Sequence, residues 1–254
     1  MQLSDWRATY IDRWYPRSLG WVDGTTKFHD VCRRSLEGGE PNPTLLEIGS
    51  GPRNISSEFF STLGHLTGVD TDPIVMENPA LDAAYVVTDE TLPFDSGSFD
   101  ACFSNWVLEH VEHPETHLRE VERILKPGGC YIARTPNLFH YVSLAAACTP
   151  QWIHDLVANR LRALPEQTHE PWPTYYRLNT RAGVRRTATK AGLAIDSLTV
   201  LESEPSYGMS SRVIFLLFMA YERLVNSSSR LEGLRHSMIV VLRKTAKSGE
   251  GNAV

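Results

Sequence analysis

The chain has 254 residues, enough for one large domain with a full core, or a core with a small subdomain. Its 42% hydrophobic and 22% charged content is ordinary for a soluble globular protein. A net charge of -5 and a pI near 6.0 argue against nucleic-acid binding through a broadly basic surface. The four cysteines, Cys32, Cys102, Cys130 and Cys148, form no C-x-x-C pair, so neither a metal centre nor a disulfide framework is expected. The opening residues Met1 to Arg7 lack the basic-then-apolar form of a signal peptide. No stretch reaches the roughly 20 apolar residues that span a bilayer. A cytoplasmic location without a transmembrane segment is the expectation.

Ser4 to Tyr15 reads as a helix started by Ser4, stopped near Pro16 and rich in rings: Trp6, Tyr10, Trp14 and Tyr15. A second helix is expected over Thr26 to Leu36, then a Gly, Pro and Asn linker from Gly38 to Pro43. Leu45 to Ile48 is a short apolar run carrying one acid, Glu47, and it breaks into Gly49-Ser50-Gly51. This is a buried strand ending in a tight turn, where glycine lets the backbone bend and a ligand approach. Ile55 to Leu63 then reads as a helix with Ile55, Phe59, Phe60 and Leu63 on one face. Leu66 to Asp70 is a second strand ending in an acid. A glycine turn followed by an acid at the next strand tip is the arrangement that grips a nucleoside, backbone against the cofactor and carboxylate on ribose hydroxyls.

Further strands are expected near Ala84 to Thr88, Phe99 to Ser104 and Cys130 to Thr135. Leu118, Val121, Ile124 and Leu125 form a helical stripe that Pro127-Gly128-Gly129 is expected to stop. Strand and helix alternating in this way predict a parallel sheet with helices on both faces. Ligands in such sheets bind at the carboxyl ends of the strands, and Glu47, Asp70, Asp89 and Ser104 all fall there. Residues 137–178 crowd His140, Tyr141, Trp152, His154, His169, Trp172, Tyr175 and Tyr176 between prolines. This segment reads as a helical insert forming a lid or substrate wall. Thr180 to Ala191 returns to helix, Leu193 to Leu201 to strand, Ser210 to Asn226 to helix and Ser237 to Leu242 to strand. The run from Val213 to Tyr221 is apolar almost all round. It admits a core helix, a dimer face or docking on a lipid-bearing substrate, and the first two are preferred.

Five stretches follow one another in a telling order: Glu47-Ile48-Gly49-Ser50-Gly51, Leu92-Pro93-Phe94-Asp95, Ser98-Phe99-Asp100, Trp106 to Val111, and Leu125 to Gly129. The series resembles the class I S-adenosylmethionine-dependent methyltransferases, specifically the type-11 (ubiquinone/menaquinone-methyltransferase-like) group, over residues 44–136. The resemblance implies a Rossmann-like α/β fold whose mostly parallel seven-stranded sheet has an antiparallel strand in its last pair. It implies an N-terminal helical cap over 1–43, lying over the cofactor pocket, and a cofactor-binding core over 44–136. An α-rich insert over 137–179, completion of the core over 180–246 and a disordered tail over 247–254 would follow.

The same resemblance implies S-adenosyl-L-methionine as cofactor and no metal. Gly49, Ser50 and Gly51 would form the turn, Glu47 would hold the methionine ammonium, and Asp70, followed by Thr71, would accept the ribose hydroxyls. Asp89, with Glu90 as rival, would face the adenine amino group. Ser104 and Asn105 would present backbone near the sulfonium. Two departures stand out: Thr88 occupies a position where Asp is common, and Arg53 one where glycine is common. His110 is a candidate base, and for a hydroxyl acceptor His140, His169, Tyr141, Tyr175 and Tyr176 are better ones. The expected reaction is methyl transfer by direct displacement to an oxygen or nitrogen of a small molecule, such as a natural product, sugar or glycan precursor. A nicotinamide-dependent oxidoreductase is an alternative, opposed by Asn54 where the third glycine of G-x-G-x-x-G would stand. A non-catalytic relative acting as a binding protein is another. A homodimer is possible.

Overall fold

The computed structural model describes residues 6–89, 91–148, 172–203 and 211–245. In chain order the elements are α1 (Trp6–Trp14), α2 (Gly24–Ser35), β1 (Thr44–Ile48), α3 (Ile55–Phe60), β2 (His65–Asp70), β3 (Ala83–Val86) and β4 (Phe99–Asn105). Then come α4 (Pro114–Ile124), β5 (Leu125–Pro136), α5 (Tyr141–Cys148), α6 (Arg181–Ala191), β6 (Leu193–Leu201), α7 (Arg212–Asn226) and β7 (Ser237–Lys244). The strands make one mixed seven-stranded sheet in the order β3-β2-β1-β4-β5-β7-β6. The chain divides into two compact units: residues 28–135, 175–199 and 238–254 form one, and residues 1–27, 136–174 and 200–237 the other.

The first unit holds β1 to β5. β1 pairs parallel with β2 on one side and β4 on the other, which makes it a central strand. Covered on both faces, it reads as an apolar run rather than an alternation, with Leu45 and Leu46 fully buried. Leu66 and Val69 of β2 and Ala101, Cys102 and Phe103 of β4 continue this core. The register sets Ile48 beside Val69 and Ser104, so the tips of β1, β2 and β4 come together.

Helix α4 ends at Ile124, and Leu125 is already extended, so Pro127-Gly128-Gly129 does not stop a helix as expected. The triplet lies inside β5, where the pairing with β4 slips between Phe99 and Ala101. Gly128 has φ +84°, and a Cβ on Gly129 would stand 2.9 Å from the Asp100 carbonyl. The glycines therefore make a bulge, and the strand begins five residues before the expected start. Helix α3 is also shorter than expected, and Ile55 is exposed rather than on the buried face.

The second unit contains α1 and α7. Phe215 of α7 is fully buried and meets the rings of Trp6, Tyr10 and Tyr15 edge-on, with centroids 6.1, 5.5 and 6.3 Å away. Tyr15 donates its hydroxyl to the buried Glu222 at 3.1 Å. Helix α7 is thus covered on one side only, since Val213, Leu217 and Leu224 are exposed. Among the described residues no helix is long and apolar enough to cross a membrane. Cys32, Cys102 and Cys130 are buried free thiols.

Candidate functional site

The site is built on the turn after β1. Gly49 takes φ +72° and Gly51 φ +52°, both in the left-handed region that glycine occupies at little cost. The two glycines answer different needs. A Cβ on Gly49 would sit 2.4 Å from Cγ2 of Val107, so packing excludes it. At Gly51 the nearest atom is Oδ2 of Asp70 at 3.9 Å, so space is left beside this backbone. The turn is pinned to β2, with Gly49 N donating to the Val69 carbonyl at 2.8 Å and Ser50 N to the same oxygen at 3.2 Å.

Asn54 closes the turn. Its carboxamide oxygen accepts from Ser56 N at 2.9 Å and Ser57 N at 3.0 Å, capping α3. Its amide donates back to the Ser50 carbonyl at 2.8 Å. Asn78, buried after the Pro73–Glu77 turn, donates to the carbonyls of Gly51 and Pro52 at 3.3 and 3.2 Å. These two asparagines set the loop's shape. Asn54 figured in the sequence reading only as a missing glycine, and Asn78 carried no signal.

Two carboxylates flank the turn. Asp70 is held from both sides: Gly51 N donates to Oδ2 at 2.8 Å and Asp72 N to Oδ1 at 2.9 Å. The cap of the following turn is Asp72, which accepts from Ile74 N, so Asp70 is not spent on capping. Glu47 is 3% exposed, and its Oε2 accepts the Ser57 hydroxyl at 2.6 Å. Burial pushes its carboxyl up to about 8, opposed by the Ser57 hydrogen bond and helped by the charge of Asp70. Among the described residues no cation pairs with it.

At the tip of β4, Ser104 is fully buried and shares a 2.6 Å hydrogen bond with the Tyr131 hydroxyl, so only its backbone is left to face a ligand. Asn105 donates to Ser56 Oγ at 3.3 Å, and that hydroxyl also meets Nε2 of His29 at 3.1 Å. The carboxamide oxygen of Asn105 is buried without a hydrogen-bond partner among the described residues. Trp106 follows at φ +61°, an uncommon conformation for a ring-bearing residue, beneath the Arg134 guanidinium at 4.6 Å.

The remaining expected residues are more scattered. Thr71 is exposed beside Asp70. Asp89 is exposed beyond β3, where Oδ1 accepts from Thr91 N at 2.8 Å. Glu90 and His169 lie outside the described residues. His110 ends the short turn Leu108–His110 after β4. Its neighbour Glu109 escaped the sequence reading, although an acid inside the apolar run from Trp106 to Val111 was the available signal. Glu109 is buried, its Oε2 accepts the Thr135 hydroxyl at 3.1 Å, and burial pushes its carboxyl up to about 7. The Glu109 carbonyl accepts from both Tyr175 N and Tyr176 N, which fixes the chain as it returns to this unit.

His140 and Tyr141 belong to the other unit, at the start of α5. The His140 ring is 2% exposed and lies against Tyr141, Tyr221 and His236, with Nε2 3.7 Å from Oε2 of Glu202. Burial lowers its ionisation to about 4. A group held this low is a weak base at neutral pH.

The family model described as a methyltransferase domain matches residues 46–133, from β1 into β5. An uncharacterized methyltransferase of Mycolicibacterium gilvum is 34% identical over 113 residues, covering 42% of this chain and 44% of the relative. The chain thus aligns with under half the length of the first curated relatives it matches, at 44% and 41%. A ubiquinone biosynthesis O-methyltransferase of Maricaulis maris is 24% identical and covers 73% of this chain and 71% of its own. Among solved structures, a geranyl diphosphate C-methyltransferase of Streptomyces coelicolor superposes with a TM-score of 0.57 at 15% identity. It covers 87% of this chain and 78% of that one. The fold is the Rossmann-like one of class I methyltransferases.

Proposed function

We propose that this chain, whose residues 46–133 belong to the methyltransferase-domain family, binds S-adenosyl-L-methionine at the β1 turn and methylates a small molecule. The observation that carries this reading is the pair of carboxylates around Gly49-Ser50-Gly51. Asp70 is aimed by two backbone N–H groups with lone pairs to spare, and Glu47 is buried with no cation beside it among the described residues. A ligand bringing a vicinal diol and an ammonium answers both needs. The residues present fit that cofactor: Asp70 for the ribose hydroxyls, Glu47 for the ammonium, Gly51 for close approach, and Asp89 for the adenine edge. When bound, the cofactor supplies a methyl group activated on a positive sulfur.

The chain's own work is then to hold and orient the acceptor, shield the site from water and, for a hydroxyl, take a proton. Oxygen or nitrogen is the acceptor atom we favour. The O-methyltransferase name of the Maricaulis relative supports oxygen, and residues 137–179 are the segment we assign to acceptor binding. Buried neutral His140 is a poor base, which leaves His110 and His169 as the histidines to test. The test is calorimetric titration with S-adenosylhomocysteine, with a nicotinamide dinucleotide as control and Asp70→Ala alongside. Selective micromolar binding that weakens at least tenfold in the variant, about 1.4 kcal/mol, supports the reading. Preferential dinucleotide binding, or none by the folded protein, overturns it.

A further inference from the structure

Helix α7 presents two unlike faces. Phe215, Glu222 and Val225 are buried on one. Arg212, Val213, Leu216, Leu217, Arg223 and Leu224 are exposed on the other. At about 100° per residue these six fall in one stripe roughly 140° wide, with both arginines along one flank. The exposure is substantial: Val213 65%, Leu217 63% and Leu224 59%. The helix's one acid, Glu222, turns inward to Tyr15 and Asn226 and lies 3.3 Å from Nε of Arg223, so α7 itself turns no acid outward beside the stripe, while Asp12 is the exposed acid of the neighbouring α1. The surface continues onto the end of α1. Arg223 donates to the Trp14 carbonyl at 3.0 Å, and the exposed Trp14 ring lies 5.1 Å from the Arg13 guanidinium. The chain as a whole carries -5, so this cationic rim runs against its average.

We propose that the exposed stripe of α7, with Trp14 beside it, docks on the surface of an anionic lipid bilayer, the helix lying in the plane of the interface. Leucine and valine enter the acyl boundary, tryptophan sits at headgroup level, and arginines flanking them reach the lipid phosphates. At 15 residues the helix is too short to cross. A second copy of the chain fits the surface less well. An antiparallel two-fold pairing of this face would bring the arginine flanks together with no outward acid on either α7 to separate them.

The test is co-sedimentation of the full chain with vesicles of phosphatidylcholine alone, or with roughly one-third phosphatidylglycerol, at low and high salt. The expected result is partitioning at least about tenfold stronger onto the anionic vesicles, reversed by salt. Leu217→Glu should reduce that binding about tenfold or more, Arg212→Gln in part, with unfolding midpoints unchanged because both side chains are exposed. Binding without preference for the anionic lipid, or undiminished in Leu217→Glu, overturns the proposal. So does absent vesicle binding. If sedimentation velocity then shows a dimer that Leu217→Glu dissociates, the surface belongs to a second copy.

Discussion

Replacing Glu47 by Gln keeps the side chain's shape and an acceptor for the Ser57 hydroxyl, and removes its titration. In the folded chain the carboxyl is raised from 4.5 to about 8. Between those values the native protein holds a proton that the unfolded chain has released. Native stability therefore falls as pH rises through this window, and the loss is complete above the folded value. The slope for one proton is about 1.4 kcal/mol per pH unit, so from about pH 5 to pH 8 the burial of Glu47 costs up to about 4 kcal/mol. Glu47→Gln should escape this cost. Urea unfolding of both proteins at each pH across that range should show a stability difference that widens steadily in favour of the variant. A difference constant within about 0.5 kcal/mol would refute the reasoning, because it would mean that Glu47 ionises as readily folded as unfolded.

Gly49→Ala places a methyl 2.4 Å from Val107 Cγ2 at φ +72°, and should lose about 2 kcal/mol or more. Adding Val107→Ala should recover the packing share and leave the backbone share of about 1 kcal/mol, read as a double-mutant cycle in urea. Asn54→Ala removes the cap on Ser56 N and Ser57 N and the tie to Ser50, and should lose about 1–2 kcal/mol of stability while weakening S-adenosylhomocysteine binding in titration. His140 is held to about 4 by burial, so as pH falls below about 6.5 the unfolded chain takes up a proton that the native ring refuses. The buried acids Glu47 and Glu109 act in the opposite direction over the same range, so the prediction is a difference: thermal midpoints of His140→Phe minus those of the native protein should grow as pH falls from about 6.5.

The middle of the sheet was legible because β1, β2 and β4 are largely buried, so Leu45 to Ile48, Leu66 to Asp70 and Phe99 to Ser104 read as mainly apolar runs despite Glu47, Thr67 and Asp100 within them. The start of β5 was not. Pro127-Gly128-Gly129 carries the chemistry of a helix stop, and only the pairing with β4 shows that it serves a bulge. The glycine turn and its two acids were visible as a motif, whereas their brace was not: Asn78 reaches the loop from 27 residues away. Glu109 was overlooked beside a histidine of more familiar chemistry. Helix α7 was read from hydropathy as core or dimer face, yet hydropathy does not say where a partner stands. The rings of α1 cover Phe215 and leave the opposite stripe open.

Proton-linked calorimetry tests directly whether a cofactor ammonium meets Glu47. S-adenosylhomocysteine is titrated near pH 6.5 in buffers of different ionisation enthalpy, so that proton exchange is read from the heats. At that pH the ligand's amine is already mostly protonated, while Glu47 still holds its own proton. Binding is predicted to release close to one proton in the wild type and close to none in Glu47→Gln. Binding with no proton release in the wild type, or equal release in both proteins, would contradict it.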